Sequence, residues 1–146
     1  MIIQSAAAEN FLPFRRRVEF PIADLGLVRV LGENRVSGAA DSNGVGKSAL
    51  LSVVAFGLYG QTLCGRSADD VANRFGRGPT LTEVVAVDPR GPLTWRVRRG
   101  RRPAFVAIET LDRPGGAWRR AVEDGGAVDA LAWVEAHYQP WRVFRN

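Results

Sequence analysis

The chain has 146 residues, 46% of them hydrophobic and 24% charged, which is the size and balance of one globular domain and not of a disordered tail. Cys64 is the only cysteine, which excludes an internal disulfide, and together with the single His137 it is too few donors for a usual structural zinc site. A formal charge of +5 makes nucleic acid the first macromolecular partner to consider, and no apolar run approaches the ~20 residues that a membrane span needs.

The first residues, Met1 to Ala6, have neither a cationic start nor a long apolar core, so no secretory signal is expected and a reducing cytoplasm is the expected location. Residues 1–8 and 14–20 predict two short strands around a turn at Leu12-Pro13. Residues 26–31, Gly26-Leu27-Val28-Arg29-Val30-Leu31, predict a buried strand, and a glycine-rich loop follows. From Lys47 to Tyr59 there is no proline. The apolar residues Leu50, Leu51, Val53, Val54, Phe56 and Leu58 lie nearly all round, so a buried helix is expected. Ser67 is suited to cap a short helix through Asp69, Asp70 and Val71.

Residues 80–110 predict antiparallel β-structure. Leu81 to Val87 runs into the turn residues Asp88-Pro89-Arg90-Gly91-Pro92, and Trp95 to Arg98 alternates with period two. Further turns are expected at Arg99-Gly100-Arg101-Arg102-Pro103 and Arg113-Pro114-Gly115-Gly116, with strands at Phe105 to Ile108 and Trp118 to Val122. Residues 127–138, with Val128, Leu131, Ala132 and Val134, predict an amphipathic helix that Pro140 stops. Trp95, Trp118, Trp133 and Trp141 are expected in the core and not as base-stacking platforms.

The run Asn43-Gly44-Val45-Gly46-Lys47-Ser48 is the chemistry of a phosphate-binding P-loop between a strand and a helix. Glycines let successive amides turn inward around the β-phosphate, and the helix N-terminus adds its dipole. Lys47 is suited to bridge the β- and γ-phosphates, and the Ser48 hydroxyl to ligate Mg²⁺. Lys47 is also the only lysine among twenty basic residues. Arginine replaces lysine everywhere except where a compact ammonium must fit between phosphate oxygens. Asp41 stands where the usual pattern begins with glycine, while Gly32 and Gly38 lie further upstream. Asp88 ends an apolar run as a Walker-B acid does, but Asp88-Pro89-Arg90-Gly91 is turn chemistry and a hairpin is expected. Asp69 and Asp70 are expected as helix-start acids. The arginines Arg96, Arg98, Arg99, Arg101 and Arg102 fit two readings equally, a lining for a nucleic-acid backbone or a solvated hairpin edge.

Together these residues resemble the amino-terminal ATPase lobe of SbcC-type proteins, which are relatives of the SMC proteins and similar to the ATPase subunit of phage recombination endonucleases. The resemblance rests on Asn10-Phe11 with Pro13-Phe14, on Asn43 to Ser48, and on Phe56-Gly57-Leu58-Tyr59-Gly60-Gln61-Thr62. It extends to Asp69 to Asn73, to the arginine-rich Trp95 to Pro103, and to Phe144-Arg145-Asn146. It implies an α/β P-loop NTPase fold of the ABC/SMC head type. This chain would be the amino-terminal half-lobe, with an antiparallel β subdomain beside the P-loop strand and helix. It implies ATP and Mg²⁺ as cofactors, with contacts from Asn43, Gly44, Val45, Gly46, Lys47, Ser48 and Ala49, and from Ala72, Asn73 and Arg74 on the following loop. Leu12 stands where the family has a basic residue, with Arg15 nearby as a substitute. The implied partners are an SbcD-type nuclease, double-stranded DNA and a second head. The implied process is DNA double-strand-break repair and recombination. The family's coiled coil, signature motif and acidic strand have no counterpart here, so hydrolysis is expected only with a carboxy-terminal half. Two other classes remain open, a different P-loop ATPase (ABC-type or a recombination mediator) and a non-catalytic arginine-rich nucleic-acid-binding module.

Overall fold

A computed structural model describes residues 1–33, 45–122, 126–138, 140 and 143. Period-two burial dictates its sheet. The strands are β1 (Ile2–Glu9), β2 (Val18–Pro21), β3 (Thr80–Val87), β4 (Thr94–Arg101), β5 (Phe105–Leu111) and β6 (Arg119–Arg120). They pair in the order β2-β1-β3-β4-β5-β6, and every pairing is antiparallel. In β3 and β4 the residues Thr82, Val84, Ala86, Trp95 and Val97 are buried while their neighbours are only partly so, the mark of a sheet with one covered face.

The covering layer is α1 (Lys47–Tyr59) and α2 (Ala127–His137). As its sequence predicts, α1 is buried nearly all round, from Ser52 through Tyr59. Its Gly57 lies flat on β3, where a Cβ would come 2.7 Å from Val84 Cγ2. Such close approach brings Phe56 and Leu58 into one core with Val84, Val97 and Ile108. In α2, Val134 joins that core. The Trp133 ring meets Trp95 edge-on at 5.3 Å and carries His137 stacked at 4.0 Å on it. Trp95 is thus core, as expected, while Trp118 sits half-buried with the Arg96 guanidinium 4.4 Å over its ring. Trp141 and the Phe144 to Asn146 phrase lie outside the described residues.

Five local expectations are corrected. The strand expected over 14–20 is confined to Val18–Pro21, and the turn expected at Arg99 to Pro103 starts only after Arg101, because pairing with β3 and β5 carries β4 on through Gly100. Residues 26–31 form no strand: Leu27 is fully exposed and Leu31 is 74% exposed. An apolar strand of this kind needs neighbours to pair with, and none of the described strands pairs with it. Residues 68–71 form turns and not a helix. There the Ser67 hydroxyl donates to Asp70 Oδ2 at 2.8 Å, so it is turned to a carboxylate and not to helix amides. Of the strand expected at Trp118 to Val122, only Arg119–Arg120 pairs, with Glu109 and Thr110.

Candidate functional site

The most distinctive terminus in the fold is the start of α1. Gly46, the residue preceding the helix, has φ 94°, where a side chain would be strained, and a Cβ there would come 2.8 Å from Pro13 Cγ. No side chain caps this terminus and its first turn holds no acid. The helix dipole and leading amides of a thirteen-residue helix therefore have no carboxylate of their own turn to neutralise them. In α2, by contrast, Asp129 accepts from the Gly126 amide at 3.2 Å. Gly32 lies against the other side of the α1 start, where a Cβ would come 3.6 Å from Lys47 Cγ and would collide with the Val45 side chain. The two ends of the glycine-rich loop are thus adjacent. Asn43 and Gly44, with Asp41, lie outside the described residues.

A cavity of about 1000 Å³ opens at this terminus. Val45, Gly46, Lys47, Ser48 and Ala49 line it on one side, and Ala72, Asn73 and Arg74 line it from the loop after α1. All the described residues that the sequence nominates for nucleotide contact therefore share one cavity. Lys47 and Ser48 face it from the first turn of α1.

The loop is held in place by Asn73, whose amide group bonds within the protein through both its nitrogen and its oxygen. Its Nδ2 donates to Leu12 O at 2.6 Å and its Oδ1 accepts from the Phe75 amide at 2.9 Å. Its backbone N–H donates to Asn10 O at 3.1 Å, and the Leu12 amide donates to Val71 O at 2.7 Å. Asn73 thus fixes where Arg74 and Phe75 stand. Asn10, buried and at φ 50°, supports the same junction by donating to Gly78 O at 2.7 Å. Its buried Oδ1 has no hydrogen-bond partner and lies against Gly76, a position where any Cβ would collide with it.

Sequence reasoning did not single out three further residues of this cavity, Leu63, Cys64 and Phe75. Phe75 is 81% exposed, an unusual state for an aromatic ring on a hydrogen-bonded loop. Burial raises the Cys64 pKa, but hydrogen bonding with Thr62 and with backbone amides, and the Arg66 charge, outweigh it and bring the thiol below its usual value.

The arginine cluster does not form one patch. Strand alternation sends Arg96 and Arg98 to the open face of the sheet and Arg99 and Arg101 to the helix face. On the open face Glu109 holds both, Arg96 at 2.6 Å and Arg98 at 3.0 and 3.1 Å. Burial tends to raise the Glu109 pKa, yet these two guanidinium groups keep it below its ordinary value. Arg99 is buried and donates to Gly57 O and Leu58 O, both at 3.3 Å, so it caps the C-terminal end of α1. Burial first, and Arg101 second, push its pKa down to about 10. Arg101 donates to Ala68 O at 3.2 Å and pairs with Asp69 at 3.2 Å. Arg102 is exposed at the hairpin turn.

Asp88 lies in a turn, as expected, where its Oδ1 accepts from the Arg90 amide at 2.9 Å. Among the described residues no group of three His, Cys, Asp or Glu side chains is arranged to hold a metal, and no helix is long and apolar enough to cross a membrane.

No protein-family model matches the chain. The chain is similar to the SbcC component of the SbcCD nuclease of Deinococcus radiodurans, 30% identical over 130 residues. That match covers 86% of this chain and 13% of the relative. It supports an SbcC-like, SMC-related relationship for a segment. The relative's name describes one component of a nuclease; it says nothing of nucleotide.

Proposed function

We propose that this chain is the ATP-Mg²⁺-binding amino-terminal lobe of an SbcC-type DNA-repair ATPase. The observation that carries the reading is the cavity where an uncapped helix start, with Lys47 and Ser48 in its first turn, faces the loop bearing Ala72 to Arg74. A triphosphate there exchanges water for amide donors, a favourable dipole and the Lys47 ammonium, all converging on the β- and γ-phosphates. Ser48 supplies one hard oxygen donor. The residues present fit a Mg²⁺ that is held chiefly by phosphate oxygens and water, which is how this ion binds in most nucleotide sites. The metal, when bound, neutralises phosphate charge; Lys47 and the amides orient the chain of phosphates.

The P-loop NTPase fold of the ABC/SMC head type belongs to this proposal. In it, the exposed apolar segment Leu25 to Leu31 pairs with strands from a carboxy-terminal half, which also supplies what hydrolysis requires. The relative's name makes a nuclease assembly with an SbcD-type component the natural setting; double-stranded DNA and a second head are the further partners of this reading. A non-catalytic arginine-rich binder is less well supported, because Arg96, Arg98, Arg99 and Arg101 are engaged within the protein.

The test is thermal unfolding of the 146-residue chain with and without ATP-Mg²⁺. Saturation at a hundred times Kd is expected to stabilise by about 2.7 kcal/mol, and Lys47→Ala to remove the shift. An equal shift in Lys47→Ala means that nucleotide binds elsewhere and sinks the proposal.

A further inference from the structure

Beyond Lys47 and Ser48 the cavity is lined by apolar side chains as well as by Arg66, Asp70 and Arg74. Leu12, Pro13, Leu63 and Ala72 line it with Phe75, a residue 81% exposed. An exposed phenylalanine on a mobile loop would mean little. This one is on a loop whose backbone is fixed on both sides. The Phe75 amide is bonded to Asn73 Oδ1, Asn73 is bonded to Leu12 and Asn10, and the Gly76 amide donates to Asn73 O at 3.2 Å. The backbone that carries the ring is therefore ordered in the free protein, and binding has only the ring's own rotamers left to fix. That is the arrangement of a stacking platform, where preorganisation removes ordering entropy from the binding step. Arg74, beside it, adds a planar cation to the same rim.

We propose that Phe75 is a base-stacking residue that seats the nucleobase of the nucleotide whose phosphates lie at Lys47. The site then favours purine over pyrimidine nucleotides, because stacking grows with the π-face that a base presents. The inference rests on the ATP reading above but is separable from it, since inorganic tripolyphosphate carries the phosphates without the base.

Calorimetry on the whole chain, with ATP-Mg²⁺, CTP-Mg²⁺ and tripolyphosphate-Mg²⁺, distinguishes the two. Phe75→Ala is expected to weaken ATP about ten- to hundred-fold, the range measured for aromatic stacking on single bases, and to leave tripolyphosphate within about two-fold. It should also erase the preference for ATP over CTP. Phe75→Trp should keep that preference, which a merely structural role for the ring does not predict. Unchanged ATP affinity in Phe75→Ala, or an equal loss for ATP and tripolyphosphate, overturns the assignment while leaving the phosphate site intact. If the unsubstituted chain takes up none of the three, both the stacking role and the ATP reading fall.

Discussion

Replacing Glu109 by Gln tests the claim that the arginines of β4 are structural. The carboxylate holds Arg96 and Arg98 through three hydrogen bonds of 2.6 to 3.1 Å, on side chains 14%, 22% and 36% exposed. Breaking a fully buried pair from one side costs about 3–5 kcal/mol, and an exposed pair about 0–1. This cluster is partly solvated on the arginine side, so an intermediate loss of about 2 kcal/mol is expected. For a domain of this size that is a fall in Tm of about 4–8 °C, read by calorimetry alongside urea denaturation. The pH dependence carries the sign. Glu109 has a folded-state pKa below its unfolded value, so its contribution is fully present above the unfolded pKa and fades as pH falls through the folded one. The gap between the parent and Glu109→Gln should therefore be wide at neutral pH and narrow in acid. A loss under about 0.5 kcal/mol at neutral pH would refute the cluster as a structural element. The arginines would then return as candidates for a nucleic-acid contact.

Two other outcomes follow from the loop and the thiol. Asn73→Ala removes the bonds to Leu12 O and from the Phe75 amide, so about 1–3 kcal/mol should go from the stability of that junction, and hydrogen exchange should speed up at Phe75 before it does in β3. Uniform acceleration across the sheet would mean that Asn73 supports the whole fold and not the loop. Cys64, the single cysteine, is exposed on the same cavity, so its alkylation by a maleimide should slow several-fold with ATP-Mg²⁺ present. In Lys47→Ala that protection should vanish, and a rate indifferent to nucleotide in the parent would put the ligand outside this cavity.

Both helices, and β1, β3, β5 and the first half of β4, were legible in the sequence because each rests on a local period. The all-round apolar pattern of Leu50 to Leu58 marks α1, and the alternation of Trp95 to Arg98 fixes β4. What a local pattern does not carry is the partner of a charge. Five nearby arginines look like one basic patch until the strand sends alternate side chains to opposite faces, and until a glutamate eleven and thirteen residues away meets two of them. Phe75 escaped notice for a related reason. In sequence it is one apolar residue in a turn, and the bond Asn73 makes across sixty-one residues to Leu12, which orders the loop carrying it, is not visible there.

Residues 26–31 are the reverse case, where the local pattern was plain and the structure did not follow it. Gly26 to Leu31 has the composition of a strand buried on both faces, and such strands are stabilised by neighbours, not by their own propensity. Without a pairing strand among the described residues, its backbone groups gain more from water than from any contact the sheet offers. Its apolar side chains are left in solvent at a cost of about 25 cal/mol for each Å² kept exposed. A sequence retains that cost where a further surface removes it. Leu51 on α1, 63% exposed and lining the cavity, bears the same mark. Leu51 stands one turn after Lys47 on α1, so a surface that covers it lies beside the cavity at that helix start.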